Sequence, residues 1–125
     1  FQLNAGNALY RAEMFEDAIE RYKRARELRA ESEVSRYELI PLYYIARSEF
    51  QLGNMPGVIE NAELVLAERP DFAGGDVYVL LGQALLRAER NAEAREAFEK
   101  ALAINPNSDG ALNGLAKLDS IEAAR

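Results

Sequence analysis

The chain has 125 residues, the length of one domain that can bury its own core. Apolar residues make up 49% and charged residues 29%, a balance that excludes a disordered segment. With 15 Lys and Arg against 21 Asp and Glu, the net charge of −6 has the wrong sign for general attraction to nucleic acid or to anionic membrane. The chain contains no cysteine or histidine, which removes thiol nucleophiles, disulfides, most zinc sites and imidazole catalysis. We therefore expect no cofactor, no metal, no nucleic-acid partner and no enzymatic activity.

Apolar runs in the chain are short. No stretch approaches the roughly 18 apolar residues that span a bilayer, and no basic segment leads an apolar one near Phe1. We expect no membrane insertion, and because the chain begins with Phe1 rather than Met we interpret it as a piece of a longer protein. A helical domain can lack cysteine in the cytoplasm or in the periplasm, so the compartment stays open.

Amphipathic helices are predicted along the whole chain, because apolar residues recur at three- and four-residue steps and no stretch alternates like a strand. The predicted helices cover residues 1–13, 15–30, 36–52, 55–68, 74–88, 91–104 and 108–123. Asn54 is the predicted cap of the fourth helix, and Ser108 or Asp109 that of the last. Pro70 and Pro106 are expected to end the helices before them.

The start of the third helix has conflicting signals. Ser35-Arg36-Tyr37-Glu38 fits a capping box, which favours a start at this point. Pro41 would, however, remove a backbone hydrogen bond inside the helix. We expect a helix that is either kinked at Pro41 or begins nearer Glu38.

Three copies of one spacing pattern follow one another. The small residues that mark the copies are Gly6, Ala18 and Ala25, then Ala46, Val58 and Val65, then Gly82, Ala94 and Ala101. Within every copy the first two residues are 12 positions apart and the last two are 7 apart. The unit is about 34 residues long, with insertions of about six and two residues between copies. The longer insertion falls around Arg26 to Glu38.

The third copy has the fullest motif. It reads Tyr78-x2-Leu81-Gly82-x2-Leu85, then Ala94-x3-Phe98-x2-Ala101 and Pro106. The first copy keeps Ala18-x3-Tyr22-x2-Ala25 but has Ala30 in place of the closing proline, and the middle copy has Ala62 in place of the aromatic residue. These motifs resemble the tetratricopeptide repeat over essentially the whole chain.

The resemblance implies an all-α fold, a right-handed α-solenoid of antiparallel helix pairs. Residues 1–125 would form one domain, with repeat 1 at about 1–30, an insertion at about 26–38, repeat 2 at about 36–70, repeat 3 at about 73–106 and a capping helix at about 108–123. Small residues would let paired helices approach closely. The expected repeat-packing residues are Gly6, Ala18, Ala25, Ala46, Gly82, Ala94, Phe98 and Ala101.

The resemblance also implies a concave groove, which in this family is lined by the first helices of successive pairs. Its expected residues form one helical stripe beside each small residue. They are Asn7, Tyr10, Arg11, Tyr43, Tyr44, Arg47, Phe50, Gln51, Val79, Gln83, Leu86 and Arg87, and the stripe also includes Leu3, Asn4 and Leu80. Because Tyr and Arg dominate many contact surfaces, we expect a peptide-binding groove.

Part of this stripe has an alternative interpretation as core. Val79, Leu80 and Tyr44 would then pack against the first helix of the neighbouring repeat. The insertion at 26–38 could also close over the groove. The stripe is therefore either a binding surface or, in part, an internal contact.

The basic residues also have two interpretations. Arg11, Arg47 and Arg87 place one cation per pair at the groove, as solvated rim charges or as guanidinium groups that recognise a ligand carboxylate. A second cluster consists of Arg21, Lys23, Arg24, Arg26 and Arg29. These five residues fall all round their helix and some have acidic neighbours four positions away, which favours a solvated helix over a nucleic-acid patch.

One subgroup of the family grips the terminal carboxylate of chaperone tails with Lys and Asn at fixed groove positions. The matching positions here are Leu3, Asn7, Tyr44, Asp76 and Leu80. Only Asn7 agrees, and Asp76 would repel the ligand. The sequence therefore argues against chaperone-tail binding.

Two functions remain in competition. The favoured one is a non-catalytic scaffold that binds a peptide or helix of a protein partner in the groove. The alternative is an oligomerisation or intramolecular assembly module, motivated by apolar surface near Phe1 and beyond Ile121. Carboxylate catalysis is disfavoured, because no acidic pair lies in a Gly-rich or apolar context.

Glu49 departs from the repeat pattern. It lies on the stripe that faces the second helix, where the other pairs have Leu9 and Leu85. We expect its side chain to extend towards solvent or to pair with an arginine, with a buried carboxylate as the alternative.

Overall fold

A computed structural model describes the backbone of residues 36–124 and the side chains of residues 39–124. Over this range there are five α-helices and no strand. They are α1 (Arg36–Leu52), α2 (Met55–Glu68), α3 (Asp76–Arg87), α4 (Asn91–Ile104) and α5 (Asp109–Ala123), with a short 3₁₀ turn, Phe72–Gly75, before α3. The predicted all-α fold class is confirmed. Within this range no helix is both long enough and apolar enough to cross a membrane.

Several predictions fall outside the described residues. These are the helices at 1–13 and 15–30, most of the insertion at 26–38, the basic cluster at 21–29, the packing residues Gly6, Ala18 and Ala25, and the groove residues Asn7, Tyr10 and Arg11. The remaining predicted helices agree with the structure to within two residues at each end. Helix periodicity was therefore a sufficient guide to the elements of this part of the chain.

The start of α1 agrees with the predicted residue 36, whereas the start of α3 differs from its prediction. The helix α1 begins at Arg36 and contains Pro41, so a start nearer Glu38 is wrong. The buried side chains of Leu39, Leu42 and Ile45 hold this turn against the core, and packing outweighs the loss of one backbone hydrogen bond. The predicted start of α3 at residue 74 is two residues early, because the residues before Asp76 have left-handed backbone, with φ of 95° at Gly75.

Side-chain caps close the starts of α2 and α5, as predicted. Asn54 Oδ1 accepts a hydrogen bond from the Gly57 N–H at 3.2 Å, at the start of α2. Ser108 Oγ accepts one from the Ala111 N–H at 3.3 Å, so Ser108 rather than Asp109 is the cap of α5. Each cap satisfies a backbone donor that the first helical turn leaves without a partner.

The helices form two antiparallel hairpins and a last helix. The connections between α1 and α2 and between α3 and α4 are two and three residues long, which makes each pair neighbours. The hairpins pack through α2 and α3, and α5 packs against α3 and α4. As a result α1, α3 and α5, the first helices of successive units, lie along one side of the solenoid.

Small residues let these helices approach closely. Phe98 is fully buried, and a Cβ atom added at Gly82 would lie 2.6 Å from its Cε1 atom. A Cβ atom at Gly114 on α5 would also overlap the Phe98 ring. The Phe98 ring therefore fills the space between α3 and α5. The described packing residues are all buried: Ala46, Gly82, Ala94, Phe98 and Ala101.

Glu49 forms a polar contact inside the first hairpin. Its carboxylate accepts hydrogen bonds from Asn54 Nδ2 at 2.9 Å and from Asn61 Nδ2 at 2.5 Å. The side chain is half-buried and crosses above Gly57, where any Cβ atom would overlap it. Asn61 itself is 3% exposed, and its Oδ1 atom has no hydrogen-bond partner among the described residues. The sequence singled out Glu49 but did not predict these asparagine partners.

Candidate peptide-binding groove

A cleft of about 810 Å³ lies on the side formed by the first helices. It begins at the C-terminal end of α1, crosses α3 and reaches α5. Its lining consists of Phe50, Gln83, Leu86, Arg87, Glu89, Asn91, Phe98, Gly110, Asn113, Gly114, Lys117 and Ile121. The structure therefore brings side chains from three successive first helices around one concave space.

Four of the predicted groove residues line this cleft. Phe50 comes from α1, and Gln83, Leu86 and Arg87 come from α3. Phe50 and Leu86 are half-buried, because one side of each packs on the core and the other is open. Apolar surface thus remains accessible on the stripe after the protein has formed its own contacts.

Three other predicted groove residues form a separate aromatic cluster on α1. The Arg47 guanidinium lies 5.6 Å from the ring centroids of both Tyr43 and Tyr44. The Tyr43 ring also meets Phe72 edge-on, at 5.9 Å between centroids. Burial raises the pKa of the Tyr43 phenol, and the carboxylate of Asp76 raises it further. Tyr44 is 40% exposed and therefore does not belong to the core.

The core interpretation is correct for part of the stripe on α3. Leu80 is buried, and Val79 packs against Gly110 of α5, whose Cβ position lies 2.7 Å from Val79 Cγ1. The structure does not bring Val79 to the cleft, because close packing of α3 on α5 uses its side chain. Gln51 is exposed on α1 but also lies outside the cleft lining.

The sequence contains a signal, not among the predictions above, that α5 contributes to the cleft. Ala116 lies 34 residues after Gly82, so the stripe rule can be applied to it as to the earlier small residues. That rule selects Asn113, Gly114, Lys117, Ser120 and Ile121, and all but Ser120 line the cleft. The helix α5 therefore caps the solenoid and also lines the cleft.

The charged residues that line the cleft are two basic side chains and one acidic side chain. Arg87 and Lys117 line it, with Glu89 as its acidic residue. The Arg87 guanidinium lies 4.3 Å above the Phe50 ring, which joins α3 to α1 through a cation–π contact. Within the described residues no cluster of three or more acidic side chains could hold a metal ion.

The outer face of the solenoid has a different character. A depression of about 540 Å³ lies there between the start of α2 and the loop before α4. Pro56, Ile59 and Leu64 supply its apolar lining, and Arg90 at its edge pairs with Glu93 at 2.6 Å. The hydrogen bond from Arg90 lowers the pKa of the Glu93 carboxyl group. This surface contains none of the predicted groove residues.

The fold and the repeat pattern agree with known proteins. A sequence profile of the tetratricopeptide repeat matches residues 75–108, which span α3 and α4. The chain is a tetratricopeptide repeat domain. It is 33% identical over 118 residues to the small glutamine-rich tetratricopeptide repeat-containing protein 2 of Mycosarcoma maydis. That alignment covers 92% of this chain and 31% of the relative, so the chain spans about a third of the relative's length. Tetratricopeptide repeats are protein-interaction modules, which places this domain in that general class.

Proposed function

We propose that this tetratricopeptide repeat domain is a non-catalytic scaffold that binds a peptide or helix of a partner protein in the cleft. The observation that carries the proposal is the accessible apolar surface of Phe50 and Leu86 in a concave space between α1, α3 and α5. Side chains that are packed on one side and open on the other are already held in place, so a partner binds them with little loss of side-chain conformational entropy. The neighbouring Arg87 and Lys117 supply polar contacts that orient a ligand.

The experiment blocks the cleft without disturbing the core. Asn113 is exposed on α5 and lines the cleft, so Asn113→Trp places an indole in the binding space. Ala103→Trp puts the same group on an exposed position of α4 outside the lining and is the matched control. Both variants are compared with the wild-type chain for binding to peptides selected from a random dodecapeptide phage library. Selected peptides should be lost with Asn113→Trp and retained with Ala103→Trp, and equal retention by both variants would overturn the proposal.

A second candidate function is self-association through the last helix. Leu112 on α5 is 47% exposed, whereas Tyr78, 34 residues earlier on α3, is half-buried beneath α4. A second copy could cover the Leu112 face of α5 in the way that α4 covers α3. Sedimentation over a concentration series should then show a dimer that Leu112→Lys abolishes, and a monomer at every concentration would reject this candidate.

A further inference from the structure

The basic side chains between residues 39 and 124 fall into two groups. Three of them form ion pairs, and all three lie on α4 or at its start: Arg90 with Glu93 at 2.6 Å, Arg95 with Asp119 at 2.8 Å, and Lys100 with Glu96 at 3.2 Å. The other four, Arg47, Arg69, Arg87 and Lys117, have no carboxylate partner among the described residues. The cations without a carboxylate partner therefore all lie outside α4.

Two of these four cations line the cleft, Arg87 from α3 and Lys117 from α5. In a chain with a net charge of −6, this concentration of uncompensated positive charge gives the cleft the opposite sign to the molecule as a whole. Glu89 offsets only part of it.

The setting of Arg87 makes it a specific anchor rather than a mobile rim charge. Its guanidinium lies 4.3 Å from the Phe50 ring centroid, and Phe50 and Leu86 form apolar surface next to it. An arginine over an aromatic face retains its N–H donors, which suit the two oxygens of a carboxylate. Arg87 is exposed, so these donors are accessible to a ligand in the cleft.

We propose that the cleft selects an extended peptide segment in which an internal Asp or Glu side chain neighbours a bulky apolar side chain. The apolar side chain would contact Phe50 and Leu86, and the carboxylate would bind Arg87 and Lys117. This inference rests on the proposed function and names its class of ligand. An internal carboxylate is favoured over a terminal one because Tyr44, Asp76 and Leu80 occupy the positions where the family grips a chain terminus, and Leu80 is buried.

The test uses a random dodecapeptide library displayed on phage with each peptide fused through its C-terminus, so that no free terminal carboxylate is present. Wild-type chain is compared with Arg87→Glu/Lys117→Glu and with Arg69→Glu/Lys100→Glu, which changes the net charge equally outside the cleft lining. Wild type should enrich Asp or Glu beside Leu, Ile, Phe or Trp. The first variant should bind the selected peptides roughly a hundredfold more weakly, about tenfold per cation. The second variant should stay within about twofold of wild type.

Circular dichroism establishes that both variants are folded, and a synthetic copy of the best peptide with Glu→Gln should lose affinity with wild type. An Asp and Glu content equal to that of the unselected library, or equal weakening by both charge variants, would overturn the carboxylate preference. A synthetic copy of the best peptide that binds more tightly with a free terminal carboxylate than with a terminal amide would overturn the choice of an internal carboxylate. If the selected peptides lack acids but are still lost with Asn113→Trp, the scaffold proposal stands and only the ligand class fails.

Discussion

The two hairpins of this domain have the same architecture but different interiors. In the α3–α4 hairpin the aromatic ring of Phe98 fills the space between Gly82 and Gly114. In the α1–α2 hairpin the position of Phe98 is taken by Ala62, which is also fully buried. The residue that corresponds to Gly114 is Leu80, since it lies 34 positions earlier. A large residue on one helix is thus exchanged for a small one on its neighbour, and the total volume is conserved.

The interiors also differ in polarity. The first hairpin has Glu49 bonded to Asn61, and the residues 36 positions later in the second hairpin are Leu85 and Ala97. A carboxylate that accepts a hydrogen bond from a buried amide therefore occupies the place of an apolar pair. The comparison teaches that the repeat specifies the geometry of helix approach, and that several complementary side-chain sets achieve it.

The largest expected effect comes from removing the ring that only the second hairpin has. Phe98→Ala should lower the free energy of unfolding by about 3–5 kcal/mol, through lost burial and a cavity between α3 and α5. Phe98→Ala/Gly114→Leu recreates the Ala62 and Leu80 combination and should recover part of the loss. Urea unfolding measures both variants, and a double variant less stable than the single one would contradict the proposed volume exchange.

Matched glycine substitutions test how each hairpin tolerates an added Cβ atom. Gly82→Ala forces a Cβ atom against the buried ring of Phe98 and should cost about 1–3 kcal/mol despite the better helix propensity of alanine. Gly57→Ala meets the end of the half-buried Glu49 side chain, which can move aside, so it should cost less. Thermal unfolding of the two variants shows which substitution lowers the stability more. A larger loss of stability with Gly57→Ala than with Gly82→Ala would contradict the proposed difference between the two sites.

The polar contact of the first hairpin can be converted to the apolar pair of the second. Glu49→Leu alone removes the acceptor of the buried Asn61 amide and should destabilise the domain by about 1–3 kcal/mol. Glu49→Leu/Asn61→Ala introduces the residues found at Leu85 and Ala97 and should regain most of that stability. Urea unfolding measures Glu49→Leu, Asn61→Ala and the double variant. If the double variant loses as much free energy of unfolding as the two single variants together, the polar pair and the apolar pair are not interchangeable.

The smallest effect is expected from the surface ion pairs that connect α4 to α5. Asp119→Asn/Glu122→Gln removes both partners of Arg95, which are themselves largely exposed. The loss should be below about 1 kcal/mol and should vanish in about 0.5 M salt, because exposed pairs are weak and screened. Thermal unfolding at low and high salt checks this, and a larger, salt-independent loss would mean that α5 depends on these pairs.

Most of the fold of residues 36–124 could be predicted from the sequence, because helix periodicity and caps such as Asn54 and Ser108 are local signals. The left-handed turn at Gly74 and Gly75 was not predicted. Glycine adopts positive and negative φ about equally well, so its presence does not determine the backbone conformation. The candidate groove was predicted only in part. The packing of Val79 on Gly110 depends on contacts between units, which the pattern of a single helix does not contain.

The most direct test of the central claim is chemical-shift mapping of the isotope-labelled chain with a library-selected peptide. We expect shifts at backbone amides along the cleft, at Gln83, Leu86, Arg87 and Lys117. We expect little change on the outer face, at Ile59, Glu63 and Leu64. Shifts confined to the outer face, with the cleft amides unchanged, would contradict recognition by the first helices.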